Sequence, residues 1–405
     1  MKILFLTNKV PWPLKDGGAI GTFNLAYALA KEGCHVEMLS INTSKHAVDT
    51  DTIPSEIQEN LNIEAVNVDT RIKTRALFNN LFFSDEPYIA ERFFSHAYAE
   101  SLKSKLQNNA YDIVILEILY MGKYIPLIRK HSNAHISFHA PNIEHEIWYR
   151  IAANVSNILK RLYLKNMAKR IQKFETALLN TYDSLIPVSE TNASTYKSMG
   201  VSVPVHVAKI GMFFDTLDKR SATGEKNKNQ LSLGHIGALD WMPNIEGLLW
   251  FLNNVWPEVY KKQPDVVFRI AGRNASEDVK SQLNRPGVEY LGEVPDAYDF
   301  TANQTVMVVP LLSGSGMRVK IIESLGLGKA IVSTAKGAEG IQLRSGEHLL
   351  IEDDATNFAG ACLELLNDPV KRKKLEKAGS NLVRKQYDNV KIARNIIEFY
   401  QTIVK

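Results

Sequence analysis

Apolar positions along the chain come in two alternating rhythms. KILFLTN (2–8) is a short unbroken apolar run, AIGTFNLAYALAKEG (19–33) repeats apolar residues at helical spacing up to Gly33, and HVEMLSI (35–41) is apolar again. Strand, helix and strand in that order predict parallel pairing through a right-handed crossover. IEAVNV (63–68), DIVILE (112–117), HISFH (135–139), DSLIPV (183–188) and VHVAKI (205–210) continue the strand series. A polar, aperiodic stretch, DKRSATGEKNKNQ (218–230), then reads as a linker or surface loop. A second series follows: LSLGHIG (231–237), VVFRIAG (266–272), VEYLGE (288–293), VMVVPLL (306–312), AIVST (330–334) and EHLLIE (347–352). Pro243 introduces a long helical pattern, NIEGLLWFLNNVWPEVYKK (244–262), and from about 355 onward the whole pattern is helical. The expected architecture is α/β: two Rossmann-like doubly wound domains, 1–210 and 211–385, facing each other across a cleft, with a helical C-terminus. Ligands in such sheets sit beyond the carboxyl ends of the strands.

Composition narrows the classes without choosing among them. The chain has 405 residues, too many for one ordinary core, with 45% hydrophobic and 23% charged residues. A net charge of +4 gives no reason to expect nucleic acid as a partner. Cys34 and Cys362 are far apart and lack metal-ligand spacing, which fits a reducing compartment without a disulfide framework. No run approaches the roughly 18 apolar residues of a membrane span, and the N-terminal run is shorter than a signal sequence. A cytoplasmic protein is expected.

Two strand-to-helix loops carry candidate chemistry. In KVPWPLKDGGAIG (9–21), Gly17 and Gly18 could let backbone N–H groups approach an anion, although a plain turn explains them as well. The spacing is not GxGxxG, and no acid ends the second strand, so a dinucleotide site is not expected. In LLSGSGMRVKIIESLGLG (311–328), a strand end, a glycine turn and a helix start are combined with Arg318, Lys320 and Glu323. A helix N-terminus favours an anion by about 0.3–1 kcal/mol, and each cation adds a charge-assisted bond of about 1.5–3 kcal/mol. Cations in a first helical turn are unfavourable unless an anion is present. Glu323, about a turn and a half on, is placed to accept from a sugar diol. A solvated ion pair on a surface helix is the competing reading.

Together with LGHIGALDWMPNIEG, RIAGR and GVEYLGEVPD, this loop resembles the group 1 (family 4) glycosyltransferases, and more narrowly the sugar transferases of bacterial exopolysaccharide and surface-glycan pathways. The family run PLxxGxGxRxKIxE is matched by Pro310, Gly314, Gly316, Arg318, Lys320, Ile321 and Glu323, and G-x-x-x-W-x-P-N by Gly237, Trp241, Pro243 and Asn244. The resemblance implies the GT-B fold, with residues 386–405 a helix returning to the first domain. It also implies a nucleotide-diphosphate sugar as donor, a glycan or lipid-linked acceptor, retention of configuration, and neither metal nor cofactor. The donor would meet Gly314, Ser315, Gly316, Met317, Arg318 and Lys320 at its diphosphate and Glu323 at its ribose. Gly17, Gly18, Asn142 and Arg273 are implied further donor contacts. In SFHAPNIEHEIWYR, Asn142 and Glu144 resemble the family's H-N-x-E segment, with His139 two places before the usual histidine. His139, Glu144, Arg318 and Lys320 are the implied catalytic set.

Departures accompany the match. The first glutamate of the family's E-x7-E falls on Ser315, Asp240 and Trp241 stand near the places of a usual Arg and Lys, and P-N-G-V is replaced by AKIGM. A sugar-nucleotide epimerase on the same fold and a non-catalytic sugar-nucleotide-binding subunit are therefore the alternatives. Asp49-Thr50-Asp51 reads as polar loop. The basic segment ILKRLYLKNMAKRIQKFE (158–175) has two open readings: a core-packed helix with a solvated face, or a helix resting peripherally on anionic membrane.

Overall fold

Parallel pairing and β-branched, apolar strand sequences place a six-stranded sheet at the centre of each half of the chain. In the computed structural model, which describes residues 1–14, 17–44, 47–215, 217–218, 230–314 and 318–404, the chain divides into two units. The first comprises Met1–Gly211 and Asn389–Lys405, the second Met212–Asp388.

The first sheet contains β1 (Lys2–Thr7), β2 (His35–Thr43), β3 (Ile63–Val68), β4 (Ile113–Glu117), β5 (His135–Ala140) and β6 (Ser184–Pro187), in the order β3-β2-β1-β4-β5-β6. The second contains β7 (Ser232–Ile236), β8 (Val267–Ala271), β9 (Val288–Gly292), β10 (Val306–Val309), β11 (Ala330–Ser333) and β12 (Leu350–Ile351), in the order β12-β11-β10-β7-β8-β9. Read from the opposite edge, the second order repeats the first. Both are the doubly wound order, with a switch point between β1 and β4 in one unit and between β7 and β10 in the other. Ile3, Leu4, Phe5 and Leu6 are all fully buried, as expected of a strand covered by helices on both faces.

VHVAKI departs from its strand expectation. It runs beside β6 through bonds from Leu185 N to Pro204 O, from His206 N to Leu185 O and from Ala208 N to Pro187 O. Only a single bridge, Leu185 to Val205, results. Pro187 has no N–H to continue the ladder. The long helical pattern of the second unit is likewise not one α-helix. Met242–Trp250 and Trp256–Lys262 flank a π turn at Phe251–Val255, ahead of Pro257, whose missing N–H cannot close an α-helical bond.

The helix Asn389–Ile403 belongs to the first unit, where Ala393, Ile396 and Tyr400 are buried and Arg394 pairs with Glu32. The second unit's two ends lie side by side, Met212 N donating to Tyr387 O at 2.8 Å. Cys34 and Cys362 are free and buried. Among the described residues, no helix is long and apolar enough to cross a membrane.

Candidate functional site

In the second unit the chemistry gathers at the switch point. The helix Val319–Gly326 follows β10, and Arg318 stands at its N-cap position. Lys320 sends its ammonium back to the end of β7, donating to Ile236 O at 2.7 Å and Asn244 Oδ1 at 3.1 Å. Glycine at 237 makes this possible, because a Cβ there would lie 2.8 Å from Lys320 Nζ and 2.6 Å from Asn244 Nδ2. Asn244 is itself fixed by donating to Ala238 O. Arg318 is 5% exposed, and its guanidinium lies over the Trp241 ring, 5.6 Å from the centroid. Gly314 has φ +99, and a Cβ there would crowd both Arg318 Nη2 and Pro243. Glycine is thus required twice over at 314.

Burial and the neighbouring Arg318 push the Lys320 ammonium down to about 8. Burial also lowers Arg318. Glu323 shifts the opposite way: burial raises it, against a hydrogen bond from Tyr298 OH (3.1 Å) and the field of Lys320. Arg318 thus repels the Lys320 proton, and two cations, both lowered by burial, are held together at the positive end of a helix. An arriving anion would relieve that repulsion. Arg273 lies on the loop after β8, where its carbonyl accepts from Leu239 N. Asp240 is occupied by Asn274 Nδ2 at 2.8 Å. Ser315, Gly316 and Met317, three of the expected donor contacts, lie outside the described residues.

In the first unit, a cavity of about 690 Å³ opens at the carboxyl ends of β1 and β4. Gly17, Gly18, His139 and Asn142 all line it, with Lys9, Arg92 and Phe93. Gly17 begins the helix Gly17–Lys31, and a Cβ on it would meet nothing within 4 Å. Glu117 and His139 are register partners on β4 and β5. Both are buried, with Glu117 Oε2 2.7 Å from His139 Nδ1. The carboxylate thereby fixes the ring, leaving Nε2 for other partners. Ile118, the next residue, has φ 73, a costly conformation for a β-branched side chain at the cavity wall.

Glu144 is placed differently from the expectation that it is catalytic. It starts the helix Glu144–Ala153, is not among the cavity-lining residues, and accepts from Tyr120 OH at 2.9 Å in the interior. Behind it Glu175, fully buried on the helix Ile158–Leu178, accepts from Glu144 N and His145 N at 3.2 Å each and from Tyr196 OH at 3.1 Å. It also bonds His145 Nδ1 at 2.6 Å. A carboxylate borrowed from another helix thus caps these amides. Burial raises Glu144 to about 7. The reason for its placement is the cap: the residue that opens this helix packs inward behind the cavity wall.

Sequence patterns singled out Arg318, Lys320, Glu323 and His139, and matched Trp241 and Asn244 to a family run, but they showed neither Tyr298 nor the contacts by which Trp241, Asn244 and Glu117 hold the site. Glu117 had a usable signal, since aligning the ends of DIVILE and HISFH in parallel register pairs it with His139. Asp49 Oδ1 accepts from Asp51 N in a local turn. Among the described residues, no group of three His, Cys, Asp or Glu is arranged to hold a metal ion.

Residues 230–368 match the family model described as "Glycosyl transferases group 1". An uncharacterized 44.6 kDa protein in the cps region of Klebsiella pneumoniae is 23% identical over 98% of this chain and 99% of its own length. Phosphatidyl-myo-inositol mannosyltransferase of Mycobacterium leprae (strain TN) is 30% identical over 36% of this chain and 41% of its own. Among solved structures, Anabaena HepE in complex with UDP superposes with a TM-score of 0.69 at 14% identity, covering 99% of this chain and all of that one. Such likeness, with the strand orders above, establishes the fold. The chain carries a group 1 glycosyltransferase domain, and its fold is GT-B.

Proposed function

We propose that the protein transfers a sugar from a nucleotide-diphosphate donor to a glycan or lipid-linked acceptor in surface-polysaccharide assembly. The observation that carries this is the Arg318–Lys320 pair at the β7–β10 switch point, a doubly cationic anion site at a helix N-terminus within the matched family domain. In this reading the two cations take the diphosphate, Glu323 accepts from the ribose, and the cavity with His139 and Asn142 belongs to the reacting sugar and acceptor. UDP in the HepE structure and the mannosyltransferase and cps-region relatives support the substrate class. The acceptor oxygen bonds to the anomeric carbon as the bond from that carbon to the phosphate oxygen breaks. The acceptor's proton passes to the departing diphosphate, on the same face, with retention. Arg318, Lys320 and the helix dipole stabilise the leaving charge, a role given elsewhere to a metal ion; chelator is expected to leave turnover unchanged.

Calorimetric titration with UDP, GDP, ADP and dTDP and their sugars tests the site. One nucleotide should bind, and Arg318→Ala should weaken it about 10- to 100-fold, as loss of a charged hydrogen bond predicts. If none binds, or if Arg318→Ala binds equally well, the diphosphate site is elsewhere. Incubation with the bound nucleotide sugar then separates activities. Slow hydrolysis with release of the diphosphate supports transfer, whereas an epimerised sugar nucleotide without acceptor would make the protein an epimerase. Tight binding with neither product would make it a silent subunit, the reading that Ser315 in place of glutamate favours.

A further inference from the structure

Among the described residues, several of the large hydrophobic side chains left in solvent lie together on two segments of the first unit, while those of the second unit, such as Met242 and Val370, are scattered along its chain. Ile72, Phe78, Phe82 and Phe83 lie on or just before the helix Thr74–Phe83, and Leu159 and Leu162 at the head of the helix Ile158–Leu178. Phe83 is 88% exposed and Leu159 75%. Phe78 and Phe82 stack on each other, centroids 6.4 Å apart, presenting a ridge rather than scattered tips. The two helices are joined: Arg170 donates to Asn80 O at 3.0 Å and to Leu81 O at 2.8 Å, satisfying carbonyls at the end of the aromatic helix.

Charge on the same elements is one-sided. The helix Ile158–Leu178 buries Leu164, Met167, Ala168 and Ile171, and its opposite face exposes Lys165, Lys169 and Lys173 at intervals of one helical turn. From Ile158 to Phe174 the sequence contains no acid. Among the described residues no carboxylate pairs with Lys160, Lys165 or Lys169, and Lys173 has only Asp85 at 3.9 Å. Near the aromatic ridge, Arg71 and Lys73 share Asp69, while Arg75 is exposed. A merely solvated face would carry mixed charge and no aromatic ridge. A second copy of the chain is disfavoured, because a self-complementary interface would bring the lysine row against itself.

We propose that this face docks on a lipid bilayer rich in anionic headgroups. The phenylalanine and leucine side chains enter the boundary between headgroups and acyl chains, and the lysine row lies against the phosphates. The docked surface adjoins the chemistry, because Arg71 and Ile72 also line the first unit's cavity. If the transferase reading of that cavity holds, on which this step rests, its acceptor is borne by the membrane.

Sedimentation of the full chain with vesicles tests the docking without any turnover. Vesicles of phosphatidylcholine with about one-third phosphatidylglycerol should bind at least about tenfold better than phosphatidylcholine alone, and high salt should weaken the binding. A double variant, Phe82→Ser with Phe83→Ser, should lose about tenfold or more. Lys165→Glu with Lys169→Glu should lose at least about fivefold per residue. These side chains are exposed, so circular dichroism and nucleotide titration should match the wild type, which separates this result from the fate of the transferase reading. Absence of sedimentation, or variants that sediment like the wild type, would overturn the proposal. So would a solution dimer that the Phe82→Ser/Phe83→Ser variant dissolves without any vesicle binding, which would give the face to a second copy.

Discussion

Lys320 sets a pH limit on the proposed anion site. Burial and Arg318 hold its ammonium near 8, so the cation is present at neutral pH and lost as the solution becomes basic. A diphosphate that binds the protonated form should therefore lose affinity as pH rises through that value, by about tenfold between pH 7 and pH 9. Lys320→Met should bind more weakly and with a flat profile over the same range. Calorimetry at each pH decides it, and a sloping profile in the variant would assign the titration to another group. At this scale the sequence exposed what lies close together along the chain. Arg318, Lys320 and Glu323 fall within one short motif, whereas Asn244, which holds Lys320, lies 76 residues away. Trp241 read as a departure from a usual cation, and its ring lies under Arg318. Packing partners of this kind leave no local spacing to read.

Secondary elements were legible where hydrophobic rhythm and backbone hydrogen bonding agree. β1, β4, β10 and β11 are short apolar runs of this kind. VHVAKI had the rhythm but lies opposite Pro187, and the 244–262 pattern had the period but contains Pro257. In both cases a missing N–H overrode the side-chain pattern. The helix Glu144–Ala153 was legible as a helix, yet nothing in its sequence showed that Glu175, on the next helix, caps it. The residue that opens the capped helix has a pH signature of its own. Burial raises Glu144 from 4.5 to about 7, so between those values the unfolded chain has released a proton that the fold retains. Glu144's contribution to stability is full below about 4.5 and is lost as pH rises through 7, at about 1.4 kcal/mol per unit, or about 3 kcal/mol in all. Glu144→Gln keeps an acceptor for Tyr120 and cannot ionise. Its stability in urea should match the wild type at pH 4 and exceed it at pH 8, with a gain of about 3 kcal/mol. An equal offset at both pH values would show that the carboxyl does not titrate there.

At the scale of the molecule, the sequence was most explicit in the second half, where the family match falls on residues 230–368. That half carries a site built largely from one loop and its helix. The first unit's cavity is assembled from the ends of β1, β4 and β5 and from loops without a repeating pattern, so its Glu117–His139 pair follows from the parallel register of two strands and not from any local spacing. The first unit is also discontinuous, closed by the helix Asn389–Ile403 after the chain has left it at Gly211. Ile396 and Tyr400 are fully buried there, Tyr400 with its ring edge-on to His135 at 6.1 Å. At about 1.5–3 kcal/mol per buried side chain, their loss removes roughly 3–6 kcal/mol, a large share of the roughly 5–15 kcal/mol that stabilises a domain. A chain ending at Asp388 should therefore lose or strongly lower the melting transition of the first unit. The second, continuous from Met212 to Asp388, should keep its own transition and its nucleotide affinity. Calorimetric scanning of the truncated chain, and its titration with whichever of the four nucleotides the whole chain binds, separate the possibilities. An unchanged first transition would mean that the last helix adds little to that core. A second unit that stays folded but no longer binds nucleotide would mean that Arg318 and Lys320 are not sufficient to hold it.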